Sequence, residues 1–203
     1  FASLDGVAEC VPEGQGIPEH DYWVPGMSAA YVLKLEYADL SGKPYLKAKP
    51  KKLADGFNVG LRWSGNPQFE HEQHRRFDPA LMLNLAEIPG ANYYSFQRDH
   101  DLQDVPFTDL RDEMNTWTDT ASLLAGLDLL ITSDTSLAHC AGALGVETWV
   151  IVPVLPYYMW ALPGDTTPWY DSVRLYRQTT YGKWDAPFAK LTADLQARIA
   201  ERR

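Results

Sequence analysis

Two stretches of the sequence combine residue types that can hold an anion. Trp63-Ser64-Gly65-Asn66-Pro67 precedes the pair Arg75-Arg76. Gly65 lets backbone approach a ligand closely, while Ser64 and Asn66 bring polar side chains. Arg75 and Arg76 carry forked donors that match phosphate oxygens; their other reading is a solvated pair on a surface loop. Farther on, Ser133-Asp134-Thr135-Ser136 separates the apolar run Leu129–Thr132 from Leu137-Ala138-His139. If a strand ends there and a helix begins, the first helical N–H groups lack intrahelical partners and carry partial positive charge. Such a turn binds an anion without a cationic side chain, and the Thr135 and Ser136 hydroxyls add donors. Plain helix capping by Asp134 or Thr135 explains the same residues without a ligand. A carboxylate is unwelcome beside a phosphate, so a functional Asp134 faces sugar hydroxyls. His139, in the first turn, either reaches the ligand or is a hydrogen-bonded structural histidine.

Other constellations carry less. His71-Glu72-Gln73-His74 places its histidines at i and i+3, whereas a zinc-binding helix face needs i and i+4. Asp99-His100-Asp101 fits the loose Asp-x-Asp pattern of metal-dependent sugar transfer, and no metal site is expected from either stretch. Cys10 and Cys140 lie far apart and read as reduced thiols of a reducing, cytoplasmic compartment, with Cys140 a small core residue. The aromatics of Tyr157–Trp160 and Trp169-Tyr170 suit sugar stacking or a core edge, and the core is favoured for most of them. Pro153, Pro156, Pro163 and Pro168 mark a long ordered loop around them.

These residues need a scaffold that brings separate loops together, and the pattern supplies one. The chain has 203 residues, 45% of them hydrophobic, with a net charge of −9. That balance argues against general affinity for nucleic acid, and no apolar run approaches a bilayer span. From Leu53 onward strands and helices alternate. Phe57–Trp63, Asn92–Phe96, Asp128–Thr132, Thr148–Val152 and Val173–Tyr176 read as strands. Asp78-Pro79 gives a cap and a first-turn proline for a helix with Leu81, Met82, Leu85 and Ile88 on one face. Thr118 or Asp119 caps a helix carrying Leu123, Leu124 and Leu127. A third helix runs from Ser133–Ser136 to Gly145, and a last one starts near Asp185 and buries Phe188, Leu191, Leu195 and Ile199. The expected fold class is α/β: a Rossmann-like parallel sheet with helices on both faces. Ligands of such sheets bind beyond the carboxyl ends of the strands, which selects the loops Ser64–Phe77, Gln97–Phe107 and Ser133–Ser136.

Residues 1–52 read differently. Short extended stretches at Ala8–Val11 and Tyr22–Val24 and a helix from Ser28 to about Tyr37 make a thin core. Lys47-Ala-Lys-Pro-Lys-Lys52 packs four lysines into six residues and reads as a solvated hinge. The division expected is 1–52, the end of a domain that begins earlier together with a linker, and 53–203, an α/β ligand-binding domain.

Val59-Gly-Leu-Arg-Trp-Ser-Gly-Asn-Pro67, Arg75-Arg76, and Leu129-Leu-Ile-Thr-Ser-Asp-Thr-Ser-Leu-Ala-His139 with Ala141-Gly-Ala-Leu-Gly145 resemble the heptosyltransferase-like glycosyltransferases of the GT-B fold. The resemblance is closest to those found behind tetratricopeptide repeats in bacterial proteins, and Pro168-Trp-Tyr170 and Arg174-Leu-Tyr-Arg-Gln178 share it. A fainter likeness is to the O-linked N-acetylglucosamine transferases. The resemblance covers roughly residues 53–190. It implies a donor domain for a nucleotide-diphosphate sugar, which is a substrate, so no cofactor is implied. Thr135 and Ser136 would hold the diphosphate, and Asp134 would face the sugar. Arg75 or Arg76 would neutralise the leaving group in place of a metal, with inverting transfer to a sugar or protein acceptor. Gln97 and the Thr116–Asp119 segment, with Thr118 and Asp119, would border ribose and base. Ser64, Gly65, Asn66 and His139 complete the expected binding set. The general base belongs to the first domain of such enzymes, so no catalytic residue is assigned, and activity of residues 1–203 alone is not expected. The competing readings are a non-catalytic nucleotide or sugar-nucleotide binding module, a sugar-nucleotide epimerase, and a metal-dependent transferase using Asp99 and Asp101.

Overall fold

A computed structural model describes residues 4–98 and 107–202. Strands β1 (Asn58–Arg62), β2 (Asn92–Ser95), β3 (Thr108–Asp109), β4 (Leu129–Ser133), β5 (Thr148–Val152) and β6 (Val173–Arg177) form one six-stranded sheet in the order β3-β2-β1-β4-β5-β6. Every strand pairing within this sheet is parallel. This is the doubly wound Rossmann-like α/β fold expected from the alternating pattern. The two-residue β3 escaped the sequence reading because so short a strand has no periodicity to detect.

Period-2 alternation divides the core between the two faces of the sheet. Val59, Leu61, Leu129, Ile131, Trp149, Ile151 and Tyr176 point to one face, where Met82, Leu85, Phe188, Leu191, Leu195 and Ile199 cover them. Tyr94, Leu130, Val150 and Leu175 point to the other, beneath Leu123, Leu124, Leu137, Ala138 and Ala141. The covering helices are α3 (Pro79–Leu83) and α6 (Asp185–Ala200) on the first face and α4 (Trp117–Leu124) and α5 (Ser136–Leu144) on the second; two short helices, α1 (Ala29–Val32) and α2 (Glu72–Arg75), lie outside this layering.

Helix ends follow local chemistry. Asp78 caps α3 by accepting from the Ala80 amide at 2.9 Å. The helix expected through Ile88 instead tightens after Leu83 into a 3-10 turn, Asn84–Glu87. The α4 cap is Thr116, two residues before the expected start: its hydroxyl accepts from the Asp119 amide at 3.1 Å, and the Asp119 carboxylate accepts from the Thr116 amide at 3.0 Å. That reciprocal capping box is a Thr-x-x-Asp spacing. At its far end α5 closes on Gly145, whose φ of 77° is left-handed.

All described strands lie between Asn58 and Arg177. The stretches Ala8–Val11 and Tyr22–Val24 are exposed and form no strand, since no sheet edge reaches them to pair. The helix expected from Ser28 shrinks to α1 and breaks at Lys34, where φ is 54°. The lysines of Lys47–Lys52 are exposed as expected, yet the backbone around them is fastened. The amides of Tyr45 and Leu46 both donate to Ala143 O at 2.9 Å, and the Lys51 amide donates to Ser122 O at 2.8 Å. The segment is thus a strap laid across α4 and α5 rather than a free hinge.

Candidate functional site

The strand order reverses at β1. From there β2 and β3 run to one side while β4, β5 and β6 run to the other, and the loops leaving β1 and β4 diverge into a crevice. Leu61 pairs with Ile131 and Arg62 with Thr132 at the carboxyl ends, which sets Ser64–Arg76 opposite Ser133–Ser136.

The start of α5 is open. Thr135 occupies the N-cap position, but no side chain caps the helix. The Thr135 hydroxyl lies 3.3 Å from the Thr132 hydroxyl instead. Capping therefore does not account for the Asp-Thr-Ser sequence, and Ser136 is exposed to the crevice. The Asp134 carboxylate is buried and accepts from Trp160 Nε1 at 2.7 Å.

Arg75 links the two loops. Its Nε donates to Glu72 Oε2 at 2.5 Å and its Nη1 donates to the Asp134 carbonyl oxygen. Glu72 Oε1 in turn accepts from the Gly65 amide at 3.1 Å. A Cβ on Gly65 would collide with the Arg75 guanidinium, so only glycine lets the arginine lie there. Gln97 fixes the same loop from below. It is 1% exposed, accepts from the Ser64 amide at 3.0 Å and from the Trp63 amide at 3.3 Å, and donates to Ser64 Oγ at 2.8 Å.

Two cavities open here. One, of about 540 Å³, has a cationic lining from Arg62, Arg75 and Arg98 beside Thr135 and Ser136, and an apolar lining from Met114, Trp117 and Leu137; Gly65 and Asn66 also border it. The other, of about 840 Å³, has an aromatic and aliphatic lining that includes Tyr157, Tyr158 and Leu155, together with Asp134, His139, His71 and His74. Phe69, Arg75, Thr135 and Ser136 border both, so the uncapped helix stands at their junction.

The expected residues therefore separate. Gly65, Asn66, Arg75, Thr135 and Ser136 come together around the first cavity, and Asp134 and His139 join the second. Arg76 is exposed and borders a different hollow with Ser64 and Glu72. Thr118 and Asp119 border neither cavity; Thr116, Trp117 and Thr120 form that wall. Gln97 sits beneath the loop. The Asp99 and Asp101 of the metal reading lie outside the described residues. Among the described residues no group of three or more His, Cys, Asp and Glu is placed to hold a metal, and no helix is long and apolar enough to cross a membrane.

Two lining residues escaped the sequence reading, Arg62 and Arg98, while a third, Trp117, lies inside the expected Thr116–Asp119 segment. Arg62 ends a strand that is otherwise apolar, and a charge at a strand's carboxyl end was the available signal. It donates to the Phe96 carbonyl at 3.0 Å. Arg98 follows Gln97, and no hydrogen bond or ion pair ties it to a described residue. Trp117 is 60% exposed although large and aromatic, which is unusual for a residue at a helix start.

His139 stacks on the fully buried Trp160, ring centroids 5.0 Å apart and planes 5° from parallel. Burial lowers its pKa, with the Asp134 charge opposing the shift, so the ring is predominantly neutral near pH 7.

No protein-family model matches the chain. It is 26% identical over 162 residues to protein FlbA of Caulobacter vibrioides, an alignment covering 74% of this chain and 27% of that protein. Its structure matches that of ADP-heptose LPS heptosyltransferase II from E. coli with a TM-score of 0.52 and 17% identity, covering 91% of this chain and 56% of the other. The chain thus spans about a quarter of the first relative and just over half of the second. At that identity the second likeness establishes a glycosyltransferase-like fold.

Proposed function

We propose that this chain forms the donor-binding part of a glycosyltransferase, with the nucleotide diphosphate of an activated sugar bound where the two cavities meet. The observation that carries the reading is the uncapped start of α5, opening beside three arginines at the sheet's reversal point. Diphosphate oxygens would accept from the first α5 amides and from Thr135, Ser136 and Arg98, which stabilise an anion at a helix start. The nucleoside would lie against Met114, Trp117 and Leu137, where an exposed indole offers a stacking face. The glycosyl group would pass into the second cavity, beside Asp134.

In the reaction an acceptor oxygen bonds to the anomeric carbon from the face opposite the diphosphate. The bond from that carbon to the diphosphate oxygen breaks, and the acceptor proton passes to a base. Negative charge grows on the leaving diphosphate, and Arg75, Arg98 and the α5 amides would stabilise it. These residues account for donor binding and departure, and none of them is assigned as the base. Arginines and helix amides can take the charge-neutralising role without a metal.

Calorimetric titration with UDP, ADP and GDP, with and without a chelator, tests the reading. Saturable, chelator-insensitive binding of one nucleotide is expected. Absence of binding overturns donor binding, and binding only with a divalent cation returns weight to Asp99 and Asp101.

A further inference from the structure

His139 borders the second cavity from the first turn of α5, and its two ring nitrogens meet different surroundings. The Tyr170 hydroxyl lies 3.4 Å from Nδ1, and Tyr170 is 4% exposed. Nε2 has no hydrogen-bond partner among the described residues. Tyr170 comes this close because α5 carries Gly142, three residues after His139 and on the same side of the helix. A Cβ at Gly142 would collide with the Tyr170 ring. Glycine is otherwise unfavourable inside a helix, so the residue is explained by the ring laid against it.

The direction of the bond between Tyr170 and His139 decides what the cavity meets. Burial first, and then a hydrogen bond shared with Tyr45, push the Tyr170 pKa up, so the phenol keeps its proton. Burial pushes the His139 pKa down against the charge of Asp134, so the imidazole is neutral. A neutral imidazole carries one proton, on one nitrogen or the other. Its bare nitrogen is a more basic acceptor than a phenol oxygen, and the phenol is the more acidic donor. The Tyr170 O–H therefore points at Nδ1, and the ring proton is left on Nε2.

Resting on the donor-binding reading above, we infer that Tyr170 is a positioning residue that holds His139 as the Nε2–H tautomer. His139 then meets the bound sugar nucleotide as a hydrogen-bond donor to one of its oxygens, and not as a base. Thr135 and Ser136 border the same cavity, which sets this N–H beside the hydroxyls that would hold the diphosphate.

Long-range proton–nitrogen correlation spectra of the chain with 15N-labelled histidine test the tautomer at about pH 8, above the ordinary histidine pKa. His139→Gln removes one signal set of the five histidines and so assigns it. The expected spectrum has the proton on Nε2, and Tyr170→Phe shifts the Nδ1 resonance as its bond is lost. A proton on Nδ1 overturns the inference, as does an Nδ1 resonance unmoved by Tyr170→Phe. Calorimetry then uses the glucose conjugate of whichever of UDP, ADP and GDP binds the unaltered chain. His139→Ala is expected to weaken binding about three- to tenfold, the loss of one hydrogen bond. His139→Gln, whose amide nitrogen also has a hydrogen to donate, is expected to recover most of it. Equal affinity of His139→Ala and the unaltered chain removes the contact with the sugar nucleotide. If no diphosphate binds, the donor-binding reading falls, and the spectra still decide the role of Tyr170.

Discussion

The Arg75 guanidinium donates to the carbonyl oxygen of Asp134, fastening the loop after β1 to the loop after β4 at the point where the strand order reverses. The arginine faces an acid as well as a carbonyl, since Glu72 holds its Nε. Arg75 is therefore a strut of the crevice first and a source of positive charge second.

Arg75→Ala should accordingly damage the fold as well as binding. Both partners of the ion pair are largely buried, with side chains 14% and 11% exposed. Removing the arginine leaves the Glu72 carboxylate short of a charge-assisted partner, at a cost of about 2–3 kcal/mol. Urea denaturation should show a lowered midpoint with an unchanged slope. A midpoint equal to that of the unaltered protein would show that the strut bears no load.

Arg98 and Arg76 separate binding from proximity in sequence. Arg98 borders the first cavity with no partner among the described residues, whereas Arg76 borders another hollow. Arg98→Ala should weaken nucleoside diphosphate binding by about 10- to 150-fold, the loss of about 1.5–3 kcal/mol for a charged hydrogen bond. Arg76→Ala should change it less than about twofold, because exposed charges act weakly at a distance through solvent. The reverse order in a titration series would move the diphosphate to the Arg76 hollow.

His139 gives the chain a pH-dependent stability of known sign. Burial lowers its folded-state pKa below the usual 6.5, so between those two values the unfolded chain binds more protons than the folded one. Stability from this group is complete above the unfolded pKa and is lost as pH falls through the window beneath it. His139→Phe keeps a ring on Trp160 and removes the titration. Its stability should fall less than that of the unaltered protein between about pH 7 and pH 5. Parallel profiles would mean that other groups dominate this range.

Much of this architecture was legible because it rests on strong local signals. Continuous apolar strands, Asp78-Pro79 and the stop at Gly145 all act within a few residues, and they led to the correct α/β class and to the loops at the crevice. What escaped depended on tertiary context. Arg75 and Arg76 are adjacent and chemically alike, and the bend from α2 into extended backbone at Arg76 is what sends them to different cavities. Thr116 and Thr118 are equally good caps in isolation; the reciprocal bond from Asp119 selects the first. The lysine run looks mobile in composition, yet its backbone finds carbonyls on two helices. The resemblance implied Gln97 as a ligand contact, and its burial beneath the Ser64 loop is set by tertiary packing that no local signal carries.

Gln97 offers the sharpest check on how the site is supported. Its amide group meets three partners on the adjoining strand end, the amides of Trp63 and Ser64 and the Ser64 hydroxyl. Its own backbone amide donates to Ser95 Oγ at 3.2 Å, which fixes the ring of contacts to β2. Gln97→Leu preserves approximate volume and removes all the side-chain bonds, leaving buried N–H groups unsatisfied at about 1–3 kcal/mol each. A loss of about 2–4 kcal/mol is expected for the pair, allowing for relaxation. Gln97→Glu keeps both acceptor interactions with the amides but loses the donor to Ser64 and buries a carboxylate, so it should recover part of that stability at acidic pH, where the carboxyl is neutral and can donate again. Denaturation of the two variants at pH 5 and pH 8 checks both statements. Equal stability of Gln97→Leu and the unaltered protein would show that water replaces the amide, and the loop carrying Ser64 and Gly65 would then owe its shape to Glu72 and Arg75 alone.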